Sequence, residues 1–318
     1  MPQPTEPAEL ITMGECLVEL SAPEPIGQAT VFTRGFGGDA LTLAAMASRL
    51  GTRTAFLTAV ADDPFGEYLL EGWRDEGVDV SLVREVDGFN GLYLMSMLRE
   101  GDREILYYRH GSAASRMTPA MLPEEALQSV RIFHTSSITQ AISESSRQAV
   151  RAAVEIVKAA GGLVSFDVNY RRLLWEPAEA RAAVEELLPL ADFFMPSVPE
   201  DTEPLFGMSD PTQVVKHFRK AGVPIVVAKA GADGAWVGWD DQVRHWPPEA
   251  PVVVDAIGAG DAFCGAFLHG WLAGMDPADA GLLATVTAGL KVGRGGTAAG
   301  LPSKAEVIAA LAGRVELS

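Results

Sequence analysis

From residue 131 onward the chain alternates short β-branched or aromatic runs with helical patterns, and this limits its possible folds more than any other feature. RIFHTSSI is followed by a helical stretch at 143–160, VSFDV by another at 177–188, DFFMP by 210–221, and then comes PIVVAK. Apolar strands separated by amphipathic helices predict a mainly parallel sheet covered on both faces, an α/β fold. Two helix starts are explicit. Asp210-Pro211 and Asp276-Pro277 put an acid where the first amides need an acceptor and a proline where no donor is needed.

The first third has another rhythm. Segments 17–34, 91–98 and 104–109 read as strands broken by Gly, Asp and Pro, with a turn at Glu100-Gly101-Asp102. Between them lie a helix (LTLAAMASRL, ended by Gly51), a strand (RTAFLTAV), a second helix and VDVSLV. This predicts a small sheet folded onto the main one, as a lid or a dimerisation element. At 318 residues the chain can bury a sizeable core without disulfides or metals.

Charge narrows the partners. Against 25 Lys+Arg stand 42 Asp+Glu, a net −17, so nucleic acid and anionic membranes would be repelled. An anionic ligand would need basic groups gathered locally. Cys16 and Cys264 lie far apart, outside any C-x-x-C pair, and neither a signal-like N-terminus nor an eighteen-residue apolar run is present. A soluble, cytoplasmic setting is the expectation. The chain lacks G-x-x-x-x-G-K-[ST], H-E-x-x-H, G-x-S-x-G and an H-R-D set, which disfavours P-loop transferases, zinc proteases, lipase-type hydrolases and protein kinases.

Four segments carry chemistry. In PVVVDAIGAGDAF at 251–263, an apolar strand leads through Gly258-Ala259-Gly260-Asp261 into an apolar helix. Such a start presents unpaired amides and the positive end of a helix dipole to an anion, and Asp261 beside it could take a proton from an attacking hydroxyl. A tight turn with an N-capping acid explains the same residues. Lys229-Ala-Gly231-Ala-Asp-Gly234 follows the strand PIVVA, at the carboxyl end where open α/β sheets bind ligands; a hairpin turn explains it equally. Tyr107-Tyr108-Arg109 and Asn169-Tyr170-Arg171-Arg172 could bring two arginine forks onto a carboxylate, or be solvated cations. Gly35-Phe-Gly37-Gly38-Asp39-Ala40 fits G-x-G-x-x-A, with Asp62 and Asp63 downstream, and supports a nicotinamide-dependent dehydrogenase, although no clear strand precedes it.

GGDALTLAAMASRLG at 37–51, KAGADGAW at 229–236 and DAIGAGDAF at 255–263, in that order, resemble the landmarks of the ribokinase-like (PfkB) carbohydrate kinases, and the resemblance runs from about 11 to 313. YYRHGSAAS at 107–115 and SFDVNYRRLLW at 165–175 are similar to the 2-keto-3-deoxygluconate kinases within that family. The resemblance implies a ribokinase-like three-layer α/β/α domain over 9–313, with a β lid from about 15–36 and 88–112 and a tail at 1–8. It implies ATP-dependent phosphorylation of the terminal hydroxyl of a keto-deoxy sugar acid. Asp261 would be the base, and the amides of Gly258, Ala259 and Gly260 the anion hole. Gly37, Gly38 and Asp39 would hold sugar hydroxyls, and Tyr107, Arg109 and Arg171 the carboxylate end. Asn169, Ser197, Lys229, Gly231 and Gly234 would lie along ATP, with Glu200 reaching Mg²⁺ through water. A monovalent cation, K⁺, and a homo-oligomer formed through the lid edge are also expected. Departures from the family pattern are Thr42, Ala256-Ile257, Ser197 and Thr285, each at a position where the family commonly has another residue. A neutral-sugar kinase of the same fold and a non-catalytic sugar or nucleotide sensor are the alternatives.

Overall fold

The computed structural model describes residues 6–97, 103–249 and 252–315. The Glu100-Gly101-Asp102 turn lies outside the described residues. An eight-stranded sheet runs in the order Gln242–Trp246, Ala235–Trp239, Ile225–Lys229, Phe193–Phe194, Leu163–Asp167, Ile132–Ser136, Leu10–Met13, Thr54–Leu57. The last six strands in that order are parallel, and the 225–229, 235–239 and 242–246 strands pair antiparallel at one edge.

Alternate residues of these strands feed two separate cores, as a two-residue side-chain period requires. Leu10, Ile132, Phe193, Ile225 and Val227 face one core, whereas Ile11, Phe133, Phe194, Val226 and Ala228 face the other. The first is filled by the helices Asp39–Leu50, Ala259–Leu272 and Pro277–Val292, the second by Glu144–Ala159, Pro177–Leu187 and Pro211–Lys220. In Glu144–Ala159, Val150, Val154 and Val157 are fully buried at helical spacing, and Ser143 caps the Ser146 amide at 3.0 Å. Each buried valine contributes about 1.5–3 kcal/mol relative to exposure. Asp210 and Asp276 cap their helices through the amides of Gln213 and Asp279.

A second sheet, ordered Thr33–Gly37, Leu17–Ala22, Leu92–Met97, Arg103–Tyr108, stands over the site end of the first. Its Leu17, Tyr93 and Met95 pack on Ile257. Ile105, Leu106, Tyr107 and Tyr108 on its outer strand are exposed.

Two sequence expectations are corrected. The described part of PVVVD is no strand: Val252, Val253 and Val254 are 57–67% exposed, and the amides of Val254 and Asp255 both donate to the Val292 carbonyl, where a ladder would use separate partners. The Gly35–Ala40 loop is no dinucleotide crossover, because its strand belongs to the lid sheet. Of the two acids downstream of it, Asp63 is spent on the amides of Phe65 and Gly66 and on Asn90.

Candidate active site

The Ala259–Leu272 helix starts where Gly258 turns the chain at φ 73°, a left-handed conformation that favours glycine. A Cβ there would also meet the methyls of Thr42 and Thr297, each at 3.3 Å. No side chain caps this helix, so Asp261 is not the capping acid that the sequence left open. Ala259 donates its amide to the Ala256 carbonyl at 3.2 Å. Among the described residues the amides of Gly258 and Gly260 have no acceptor. An uncapped helix start offers such donors, and its dipole, to an anion.

Asp261 projects from that first turn, and its carboxyl is pushed up to about 7, chiefly by burial and then by the carboxylates of Asp39 and Asp167. Lys229 and Arg171 pull the other way. The result is a group that changes protonation state near neutrality, as a general base requires. Asp39, in the first turn of its own helix, accepts from Ser136 Oγ at 2.5 Å and Asn169 Nδ2 at 3.3 Å. Asn169 takes a left-handed φ of 36° at the end of the Leu163–Asp167 strand. A side chain at Gly38 would collide with the Glu15 carbonyl, and one at Gly37 would stand 2.6 Å from the Tyr93 hydroxyl.

Beneath the helix start lies a buried ion pair. Lys229 Nζ is 2.7 Å from Asp167 Oδ2 and donates to Cys264 Sγ at 3.5 Å. Burial works against the lysine's charge, but Asp167 outweighs it and holds the ammonium above its usual range. A Cβ at Gly260 would be 3.7 Å from that Nζ. Lys229 therefore points inward under the helix start. The turn after it, with Gly231 at φ 51° and Gly234 at φ 89°, connects two antiparallel strands, so the hairpin and the strand-end loop are one object.

The arginines differ. Arg171 is exposed and has no ion pair among the described residues, and its charge lowers the pKa of both Asp39 and Asp261. Arg109 is paired with the buried Glu15 at 2.5 Å, which also accepts from Ser112 at 2.9 Å, and it lies 5.5 Å from the Tyr107 ring centre. The Tyr107 ring lies 5.8 Å from that of Tyr93. Ser197 sits in a β-bridge with Lys229, and its amide donates to Asp201 at 2.7 Å, while Glu200 is exposed.

Sequence reasoning missed Glu15, Tyr93, Asp167 and Asp201. Asp201 is buried, its carboxyl raised to about 6 chiefly by desolvation, and it ties the Tyr170 and Ser197 amides together across two strand ends. The available signal was an acid at the end of an apolar strand for Asp167, and an acid just before a short helix for Asp201.

The model of the pfkB family carbohydrate kinases matches residues 8–304. The chain belongs to that family. It is 34% identical to a 2-dehydro-3-deoxygluconokinase of Thermoproteus tenax, over 96% of this chain and 95% of that one. A PfkB protein from Polaromonas sp. JS666 superposes with a TM-score of 0.85 at 31% identity, covering 95% of this chain and 99% of that one. A provisional ribokinase II from E. coli, solved with ATP and Mg²⁺, gives a TM-score of 0.88 at 28% identity and covers 96% and 99%.

The departures from the PfkB pattern now have places. The Thr42 methyl backs Gly258, and Ile257 fills the underside of the lid. Thr285 donates its hydroxyl to the Gly281 carbonyl at 2.8 Å inside its own helix, so that hydroxyl is turned back onto the backbone.

Proposed function

We propose that this PfkB kinase transfers the γ-phosphoryl group of ATP to the terminal hydroxyl of 2-keto-3-deoxygluconate, giving the 6-phosphate. The observation that carries the reading is Asp261, whose carboxyl sits near neutrality beside an uncapped helix start. Asp261 takes the hydroxyl proton as the sugar oxygen bonds to the γ-phosphorus. The bond from phosphorus to the β,γ-bridging oxygen breaks, and ADP leaves with the electron pair. The amides of Gly258 and Gly260, with Ala259 beside them, meet the charge on the transferred group. Lys229 stabilises this end from beneath, and Gly231, Gly234, Asn169 and Ser197 border the nucleotide.

Mg²⁺ supplies charge neutralisation on the phosphates when it is bound. A hard cation of this kind takes oxygen ligands and keeps waters, which suits the exposed carboxylate of Glu200. Sugar hydroxyls fall to Gly37, Gly38 and Asp39. The sugar carboxylate falls to Arg171, which is exposed and has no ion pair among the described residues, with Tyr107 and Arg109 completing the clamp. The similarity to the Thermoproteus 2-dehydro-3-deoxygluconokinase supports this substrate. Because Arg109 already has Glu15, a neutral-sugar kinase is the second reading. Assembly through the exposed lid strand Arg103–Tyr108 accompanies either reading, since an open edge invites pairing.

The test is ADP release with Mg-ATP over 2-keto-3-deoxygluconate, its galactonate epimer, gluconate, fructose and ribose, using Asp261→Asn and Arg171→Gln beside the parent. Turnover limited to keto-deoxy acids and weakened by Arg171→Gln is expected. Turnover on fructose or ribose alone would establish the neutral-sugar reading. Silence on all, with ATP still binding, would point to a sensor.

A further inference from the structure

The turn that leads into the active-site helix is held from behind. Amides of Val254 and Asp255 donate to the Val292 carbonyl at 2.7 and 3.0 Å, at the end of the Pro277–Val292 helix. The Asp255 carboxylate accepts from Ile257 at 3.0 Å and from Gly296 at 3.2 Å, joining the turn to the loop after that helix. Into this junction runs Lys291, 0% exposed, whose ammonium donates to the carbonyls of Asp255 and Arg294 at 3.4 Å each. Gly300 closes over its stem: a Cβ there would be 3.1 Å from Lys291 Cε.

Main-chain carbonyls from two loops converging on one buried point are the surroundings that a desolvated monovalent cation takes. Here a covalently attached cation already donates to them. A K⁺ ion added at these carbonyls would meet the like charge of the ammonium in a low-dielectric junction, so the residues do not fit the K⁺ that the family resemblance suggested. A lysine that merely finishes its helix would need only nearby carbonyls such as that of Arg294. The Asp255 carbonyl is 36 residues away and lies three residues before Gly258.

We infer that Lys291 is the built-in monovalent cation of this kinase, clamping the Asp255–Gly258 turn to the 293–300 loop so that catalysis needs no K⁺. The clamp reaches both halves of the site. Thr297, on the same loop, abuts Gly258 and stands 3.4 Å from a Cβ built on Gly37. The inference rests on the kinase reading of the Gly258–Asp261 turn.

The experiment compares KCl with choline chloride at equal ionic strength, reading sugar-dependent ADP release and, separately, the rise in Tm produced by Mg-ATP. For the parent, both are expected to agree within about twofold. Activation of the parent by K⁺ of about fivefold or more, or a Tm rise that needs K⁺, overturns the inference. Lys291→Ala is expected to lose about tenfold or more of kcat in choline and to recover most of it with K⁺ or ammonium. A folded Lys291→Ala that is fully active in choline, or that stays impaired whatever cation is added, also overturns it. Should that variant not fold, the parent comparison decides alone. A chain that turns over no sugar would sink the substrate reading, while the Mg-ATP shift would still report on Lys291.

Discussion

Among the helices of this kinase that carry an acid in the first turn, two have acids that behave in opposite ways. At Lys304–Leu311, Ser303 caps the Glu306 amide and Glu306 returns to the Ser303 amide at 2.8 Å. Arg294 adds a bond at 2.6 Å, and with these partners, Arg294 foremost, the Glu306 carboxyl falls to about 2. At Ala259–Leu272 there is no cap, and burial beside Asp39 and Asp167 lifts Asp261 to about 7. A helix start whose donors are spent is a structural end. One whose donors and acid are both left over is a chemical one. Both acids are carboxylates three residues after the N-cap, so burial and the cap make the difference.

The largest test of that contrast is Asp261→Asn, which should lower kcat about 10³- to 10⁴-fold while leaving the fold intact, read by ADP release and thermal melting. Its stability effect has a definite sign. Asp261 ionises near 7 in the folded chain against an ordinary 3.8, so it favours folding fully below about 3.8 and loses that contribution as pH rises through about 7. Asp261→Asn should therefore melt above the parent at pH 8, with the gap closing towards pH 4. A variant that melts below the parent at pH 8 would contradict the desolvated carboxyl.

Gly258→Ala comes next. Forcing a side chain into φ 73° against two methyls should cost about 1–2 kcal/mol of stability and about tenfold or more in kcat. Denaturant melts and kinetics on one preparation separate the two effects. A smaller change is expected from Arg171→Gln. The Arg171 charge lowers the Asp261 pKa, so the acid limb of the kcat–pH profile should move to higher pH, and an unmoved limb would detach Arg171 from the base. Smallest is Ser303→Ala, expected to cost about 1 kcal/mol of stability and to leave kcat unchanged.

How much of this was legible in the sequence depends on whether the partners are close along the chain. Ile225–Lys229 was readable because five consecutive buried residues need cover on both faces. The Gly258–Asp261 turn was readable because its donors and acid are contiguous. PVVVD misled because an apolar run signals a preference to leave water but does not name what covers it, and among the described residues nothing buries Val252–Val254. The Lys229–Asp167 pair spans 62 residues, and nothing local in either segment announces the other. The same holds for Arg109 and Glu15, so the reading placed Arg109 on a ligand without seeing that the protein already opposes it with an acid. By its place in the sequence Lys291 is one basic residue in a last helical turn. Only the approach of Asp255 gives it a second role.

The lid is made of two separate excursions, Leu17–Gly37 and Leu92–Tyr108, each folding back on itself in antiparallel fashion. What joins them is one parallel ladder, from Val18 opposite Leu92 to Ala22 opposite Ser96. In modular terms the lid is a single cassette written in two places in the chain. A chimera that imports one excursion from a relative must import the other as well, because a mismatched half would leave a bare sheet edge, open to the next molecule in solution.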